Sequence, residues 1–241
     1  MKPVLLDLYC CAGGATKGYQ RAGFYVVGVD VEPHPDYCGD EFVKEDAIQF
    51  LNSEWTYARP FPFAAVHASP PCQADHAINL GNQKGKPNDH VSLTAKTRTA
   101  LRRTDVPWVI EQPVGGSRQI RKDLKLHGDM FGLNVKRPRW FEFGNCEPPP
   151  QPKQAPSRGR TRGWRHGEYF DGPYVAVYGE GGGKATDDEA RAAMGMPWVT
   201  DRRGLVEAIP PVYAEYIGRH FMHILAGHSG PERLDRTVHS G

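Results

Sequence analysis

The chain has 241 residues, 39% hydrophobic and 24% charged, with a formal net charge of +2. That length suits one main core with at most a small appendage, and the composition is that of an ordinary soluble globular chain. No apolar run is long enough for a membrane span, and Asp7 interrupts the stretch where a signal peptide would stay apolar, so the expected location is the cytoplasm with no membrane partner.

The five cysteines, Cys10, Cys11, Cys38, Cys72 and Cys146, contain neither a Cys-x-x-Cys pair nor a Cys/His cluster at zinc spacing. Neither a disulfide framework nor a metal site is expected. The small net charge does not announce a nucleic-acid binder, but its distribution is uneven. Lys153, Arg158, Arg160, Arg162 and Arg165 follow one another with no acid between them.

In chain order, residues 4–9 read as a buried strand. Gly13-Gly14 opens a helix that runs to Gly23, and residues 25–30 form a second strand ending on Asp30. Strand, glycine turn, helix and strand together predict an α/β fold with a mostly parallel central sheet. A short third segment ends at Asp46. Further strands are expected at 63–68 and 108–111, with a helix over 92–103 between them. Residues 74–91 read as a loop able to close over a substrate. Proline, glycine and arginine dominate 145–167, which argues against a packed element there and suggests a small inserted basic lobe. A strand is expected at 174–178. Thr186-Asp187-Asp188-Glu189 forms a capping box for a helix reaching about Met194, and Pro210-Pro211 primes a closing helix. The expected division is a core over 1–143, a basic insert over 144–173, a segment completing the core over 174–226 and a frayed tail beyond.

Three motifs carry the chemistry. Asp7 to Gly14 places small residues where a strand turns into a helix, so backbone can approach a ligand. Acids at Asp30 and Asp46 can accept hydrogen bonds from ribose hydroxyls or an adenine amino group, although Asp46 can equally serve as a helix cap. Ala68-Ser69-Pro70-Pro71-Cys72-Gln73 and Val109-Ile110-Glu111-Gln112-Pro113 each end an apolar run, putting a thiol and a carboxylate at the tips of strands where open α/β sheets bind ligands.

With Arg137-Pro138-Arg139 and Ala208-Ile209-Pro210-Pro211-Val212-Tyr213, these motifs stand in the order found in the cytosine-C5 DNA methyltransferases, and the chain resembles that family, particularly its compact phage-type members. The resemblance covers residues 4–143 and 174–218. It implies a Rossmann-like S-adenosylmethionine-dependent methyltransferase fold, DNA as partner and S-adenosyl-L-methionine as cofactor. Tyr9, Cys10, Ala12, Gly13, Gly14, Asp30, Val31, Asp46, Ala47 and Pro70 would line the cofactor site. Cys72 would attack carbon 6 of cytosine, Glu111 would donate to ring nitrogen 3, and Arg137 and Arg139 would steady the base carbonyl. A base inside a duplex is out of reach of a thiol, so the target nucleotide must be flipped out or already single-stranded. Gln73, His76, Lys84, Lys86, Arg158, Arg160 and Arg162 would contact the DNA, and a monomer is expected. Trp164 either fills the gap left by the base or packs at the solvent edge.

The chain departs from the family pattern in several places. Cys11 stands for the first glycine of the turn and Tyr9 for Phe. Gln112-Pro113 replaces Asn-Val, and His76 takes the place of a serine. The segment between Arg139 and Tyr174 is far shorter than the usual target-recognition region. These departures keep alive the same covalent chemistry with another alkyl donor or with RNA. A non-catalytic nucleic-acid-binding protein of this fold is a further alternative. A nicotinamide or flavin oxidoreductase would need a fuller glycine fingerprint.

Overall fold

The computed structural model describes residues 1–53, 63–71, 93–115, 119–154, 156–178 and 185–227. One sheet organises them. Its parallel strands are β1 (Val4–Leu8), β2 (Tyr25–Asp30), β3 (Glu41–Lys44), β4 (Ala65–Ala68) and β5 (Trp108–Pro113); β6 (Leu124–Leu126) and β7 (Arg139–Gly144) complete it. The order across the seven-stranded sheet is β3-β2-β1-β4-β5-β7-β6, and only the pairings that involve β7 are antiparallel. The chain moves outward from β1 to β3 and returns to β4 on the other side of β1. The reversal leaves a crevice at the carboxyl ends of β1 and β4, where ligands bind in such sheets.

Both faces of the sheet are covered, as its nearly continuous apolar strands require. Helix α1 (Gly14–Ala22) and the closing helix, named α6 (Pro211–Leu225), lie on one face. There Leu5, Val26, Ala65, Val109, Phe141 and Phe143 meet Tyr19, Tyr213, Ile217 and Phe221. The opposite face carries Leu6, Leu8, Val66 and Ile110, covered by Phe50 and Leu51 from α2 (Ala47–Leu51) and by Ala100 and Leu101 from α3 (Leu93–Leu101). Each fully buried side chain of this size contributes about 1.5–3 kcal/mol. A third, smaller cluster joins α4 (Asp187–Met194) and α5 (Arg202–Glu207) to Ala12 of the glycine turn. Arg98 of α3 holds Glu142 of β7 through two bonds of 2.7 and 2.6 Å, pinning the antiparallel edge.

Helix α4 starts on the capping box read from the sequence, with Thr186 and Glu189 bonded reciprocally. Two expectations are corrected. Residues 174–178 form no strand: single bridges pair Val175 with Val135 and Tyr174 with Thr161, because the neighbouring chain on either side is irregular and offers no ladder to extend. The basic insert, expected to lack regular elements, holds a hairpin of β8 (Gly163–Arg165) and β9 (Glu168–Phe170), which forms a separate two-stranded sheet. His166 and Gly167 both adopt positive φ at its tip, the geometry that tight hairpins need. Strands β6 and β7 were not anticipated as elements, although Phe141 and Phe143 alternate inward as a strand requires.

The contact between α1 and α6 is close enough to exclude side chains. A Cβ on Gly18 would lie 2.1 Å from the Pro211 carbonyl and 2.6 Å from the Glu215 amide, both backbone atoms that cannot swing aside. Gly18→Ala is expected to destabilise the fold by about 1–3 kcal/mol. Urea unfolding followed by circular dichroism checks this; an unchanged midpoint would contradict the packing.

Candidate active site

Parallel pairing of β4 with β5 sets Ala68 opposite Ile110. The next step along both strands places Ser69 beside Glu111, so the Pro70-Pro71 turn leading toward Cys72 leaves the sheet next to this carboxylate. Cys72, Gln73, His76, Lys84, Lys86 and the whole of the expected 74–91 loop lie outside the described residues.

Glu111 is buried, and burial pushes its carboxyl above the usual carboxylate range, opposed first by the charge of Arg139. Arg139 begins β7, directly across from Pro113, and its Nε lies 2.7 Å from Glu111 Oε1. That contact is an ion pair without hydrogen-bond alignment, which leaves Oε1 with no hydrogen-bond partner among the described residues. A buried acid whose proton is held more tightly than usual is suited to act as a proton donor.

Gln112 stands where the resembled family has Asn. Its Nε2 donates to the Pro70 carbonyl at 2.6 Å, so the side chain ties the tip of β5 to the Pro-Pro turn. Arg137 and Arg139, two residues apart, are placed very differently. Arg137 sits at φ +37 and donates through Nε and Nη2 to the Ala208 carbonyl at 3.0 and 2.6 Å, through Nη1 to Val177 at 2.8 Å, and to Val206. Burial pulls its pKa down to about 9, with the Arg139 charge adding to the effect. Its guanidinium fastens the C-terminal third to the core, whereas Arg139 faces the carboxylate.

The crevice beside β1 gathers the residues expected to hold the cofactor. Asp30 Oδ2 accepts the Cys11 amide at 3.1 Å and Oδ1 accepts the Glu32 amide at 3.1 Å. His34 Nε2 lies 3.4 Å from Oδ2. An ionised carboxylate offers about four lone-pair sites, so capacity for a ligand hydroxyl remains. Next to it Val31 is 53% exposed, an apolar side chain turned outward at the strand end. Asp46 caps α2, its Oδ1 accepting the Ile48 and Gln49 amides at 2.9 Å each, while Oδ2 has no partner among the described residues; buried Ala47 opens that helix. Gly13 turns the chain at φ +81, and a Cβ there would meet Cys38 Sγ at 2.9 Å. An acid with spare lone pairs and an outward apolar side chain beside it fit a sulfonium nucleoside such as S-adenosylmethionine.

Around this turn the sequence departures take a definite form. Tyr9 and Cys11 both adopt positive φ, 60° and 46°, where glycine carries no penalty and other residues are strained by about 1–2 kcal/mol. The Tyr9 hydroxyl is 2.9 Å from Thr97 Oγ1, and the Cys11 thiol reaches Glu207 Oε2 at 3.6 Å. Burial pushes the Cys11 thiol up to about 12, and that of Cys10 higher still, so both stay protonated. Ala12 is packed under Trp198, whose Nε1 donates to the Ala12 carbonyl at 3.1 Å, and Pro70 is buried.

Arg158, Arg160 and Arg162 of the insert have partners within the chain. Arg158 stacks over Tyr174 at 5.0 Å and donates to Asn134 at 3.0 Å. Arg160 lies 4.8 Å above the Phe170 ring, and Arg162 pairs with Glu189 at 2.7 Å. Trp164, 60% exposed, packs edge-to-face with Tyr169 across the hairpin. Among the described residues no His/Cys/Asp/Glu cluster could hold a metal ion, and no helix is long and apolar enough to cross a membrane.

Solved structures with a similar fold are methyltransferases. The Dnmt2 methyltransferase of S. pombe matches at a TM-score of 0.60 and 14% identity over 93% of this chain and 99% of that one. The Entamoeba histolytica methyltransferase EhMeth matches at 0.55 and 11% identity, with 93% and 99% covered. A looser likeness, TM-score 0.43 and 19% identity, links 59% of this chain to a protein assigned as a DNA modification methyltransferase encoded within an E. coli prophage; it covers 46% of that protein, so the chain spans about half its length. No family model matches the sequence, and no curated protein does so either. The chain thus has the mixed α/β fold of those methyltransferases.

The raised pKa of Glu111 fixes a pH dependence. An acid that binds its proton more tightly in the folded state contributes stability that is fully present below its unfolded pKa and is lost as pH rises through the folded one. Wild-type stability relative to Glu111→Gln is therefore expected to fall as pH climbs from about 4.5, the group's ordinary value, through its raised value. Urea midpoints of both proteins across that range measure the difference, and a constant difference would contradict the desolvation. Arg137→Met strands the Ala208 and Val177 carbonyls and is expected to cost about 2–4 kcal/mol of unfolding free energy, read in the same assay.

Proposed function

We propose that the protein is an S-adenosylmethionine-dependent DNA methyltransferase that forms 5-methylcytosine on a base turned out of the helix. The observation that carries this reading is the buried Glu111 carboxyl, paired with Arg139 and lying against the Ser69-Pro70-Pro71 segment that leads to Cys72. Acid, arginine and thiol are what addition to a pyrimidine requires.

In this reading the Cys72 thiolate adds to carbon 6. Glu111 gives its proton to nitrogen 3, so the electrons displaced toward the ring are held as a neutral enamine rather than an anion. Arg139 compensates the carboxylate left behind and steadies the base carbonyl. Asp30, Val31, Asp46 and the glycine turn would hold S-adenosylmethionine, which would supply an electrophilic methyl group. Carbon 5 would take the methyl, with the donor sulfur leaving as a neutral thioether, and lose its own proton to a base; as the bond from sulfur to carbon 6 breaks and the thiolate is restored, nitrogen 3 returns its proton to Glu111. The Lys84 and Lys86 loop and the exposed Trp164/Tyr169 hairpin with its arginines are the proposed DNA contacts, the cations meeting phosphate and the aromatic rings meeting unstacked bases.

DNA from a methylation-free strain expressing the chain is expected to release 5-methylcytosine on nucleoside mass analysis, and its RNA is not; the mass also reports the alkyl group transferred. DNA carrying fluorine at cytosine carbon 5 is expected to be trapped covalently, and Cys72→Ser is expected to lower both trapping and transfer at least about a hundredfold. Cofactor-loaded protein that neither traps nor methylates would sink the proposal.

A further inference from the structure

The sheet face under α1 carries a polar line that the proposed chemistry leaves unused. His67, inside the apolar strand β4, is fully buried, as is Tyr19 of α1. The Tyr19 hydroxyl lies 2.9 Å from His67 Nδ1, and His67 Nε2 lies 2.9 Å from Ser69 Oγ. Ser69 falls beside Glu111 in the register of β4 with β5, where its hydroxyl opposes the burial-driven rise of the carboxyl's pKa.

The direction of this line follows from what each group can do. A buried hydroxyl donates where it can, and His67 Nδ1 is the acceptor that Tyr19 meets among the described residues. Burial holds the Tyr19 phenol well above its ordinary pKa and drives His67 down to about 3, so both are neutral. A neutral imidazole that accepts at Nδ1 carries its single proton on Nε2, which then donates to Ser69. The Ser69 hydrogen is left to point at Glu111.

We propose that Tyr19, His67 and Ser69 form a one-way hydrogen-bond chain that orients the Ser69 hydroxyl as a donor to Glu111, so that Ser69 steadies the carboxylate and does not take the acid's proton. The other described groups facing Glu111 are donors or are engaged elsewhere. Arg139 and Arg137 are donors only, and the Tyr213 hydroxyl is bonded to the Lys136 and Arg137 carbonyls at 3.3 and 3.1 Å. Facing His67 are Tyr19 and, across the strand pairing, Asp7, whose Oδ2 is bonded to Thr16 at 2.5 Å. Tyr19, His67 and Ser69 are positioning residues, acting on the reaction through Glu111. The inference rests on Glu111 being the acid of the proposed reaction.

Two measurements on the protein without cofactor or nucleic acid test the chain, so their outcome is independent of whether methyl transfer occurs. Nitrogen-15 spectra of the wild type are expected to show His67 neutral, protonated on Nε2 and bare on Nδ1, across about pH 5 to 8. Carbon-13 titration of the Glu111 carboxyl, assigned with Glu111→Gln, is expected to show its pKa raised by about one pH unit in Ser69→Ala, because a donor to the charged form is gone. Tyr19→Phe is expected to raise it less, and Tyr19→Phe/Ser69→Ala no more than Ser69→Ala alone. A proton on Nδ1, an unmoved Glu111 in Ser69→Ala, or additive shifts in the double variant overturns the proposal. Should Tyr19→Phe fail to fold, the wild-type spectra and Ser69→Ala still decide it.

Discussion

The register of β4 against β5 is the constraint on which the site depends. With Ala68 opposite Ile110, β4 ends while β5 runs on to Pro113, and Ser69, the first residue past β4, becomes the neighbour of Glu111. A slip of one residue would turn Glu111 to the α2/α3 face and break the reach of Gln112 to the Pro70 carbonyl. The register is held by burial on both faces: Val66 and Ile110 sit in one cluster, Ala65 and Val109 in the other. The core is what aims the Pro-Pro turn.

Charge is divided between two arginines that look equivalent in sequence. Arg139 starts a strand and lies against Glu111, where its charge offsets part of the penalty of burying a carboxylate. Arg137, one proline away, sits in the left-handed region and spends its guanidinium on carbonyls of the C-terminal segment. Those bonds offset the backbone strain and fix the loop from which Arg139 emerges. One residue in the Arg-x-Arg motif faces the site, and the other builds the wall behind it.

Much of the architecture was legible in the sequence. The strand, glycine turn and strand at the start, the capping box at Thr186 and the helix behind Pro210-Pro211 all appear with nearly the expected bounds, because each rests on local chemistry: a turn, a cap, a periodic apolar stripe. The strand expected at 174–178 did not form, since its apolar residues are buried by tertiary packing without a ladder partner. The motifs led to Glu111 and Asp30, but gave no hint that Ser69, His67 and Tyr19 would line up behind the acid. His67 stood out only as a polar residue inside an apolar run, and its partner Tyr19 is 48 residues away in sequence. The dual part played by Asp46, cap on one oxygen and open on the other, likewise needed the fold.

The closing helix has a consequence for how the protein is made. All seven strands of the main sheet lie within the first 144 residues, yet the face that carries Leu5, Val109 and the Ser69-Glu111 pair is sealed by Tyr213, Ile217 and Phe221. While the chain is still on the ribosome, that face is wet, and a hydrated glutamate gives up its proton as any ordinary one does. The nascent protein can therefore carry the thiol and the acid long before the acid acquires its unusual proton affinity. The proton affinity of Glu111 is thus a property of the assembled face, acquired when α6 packs against the sheet.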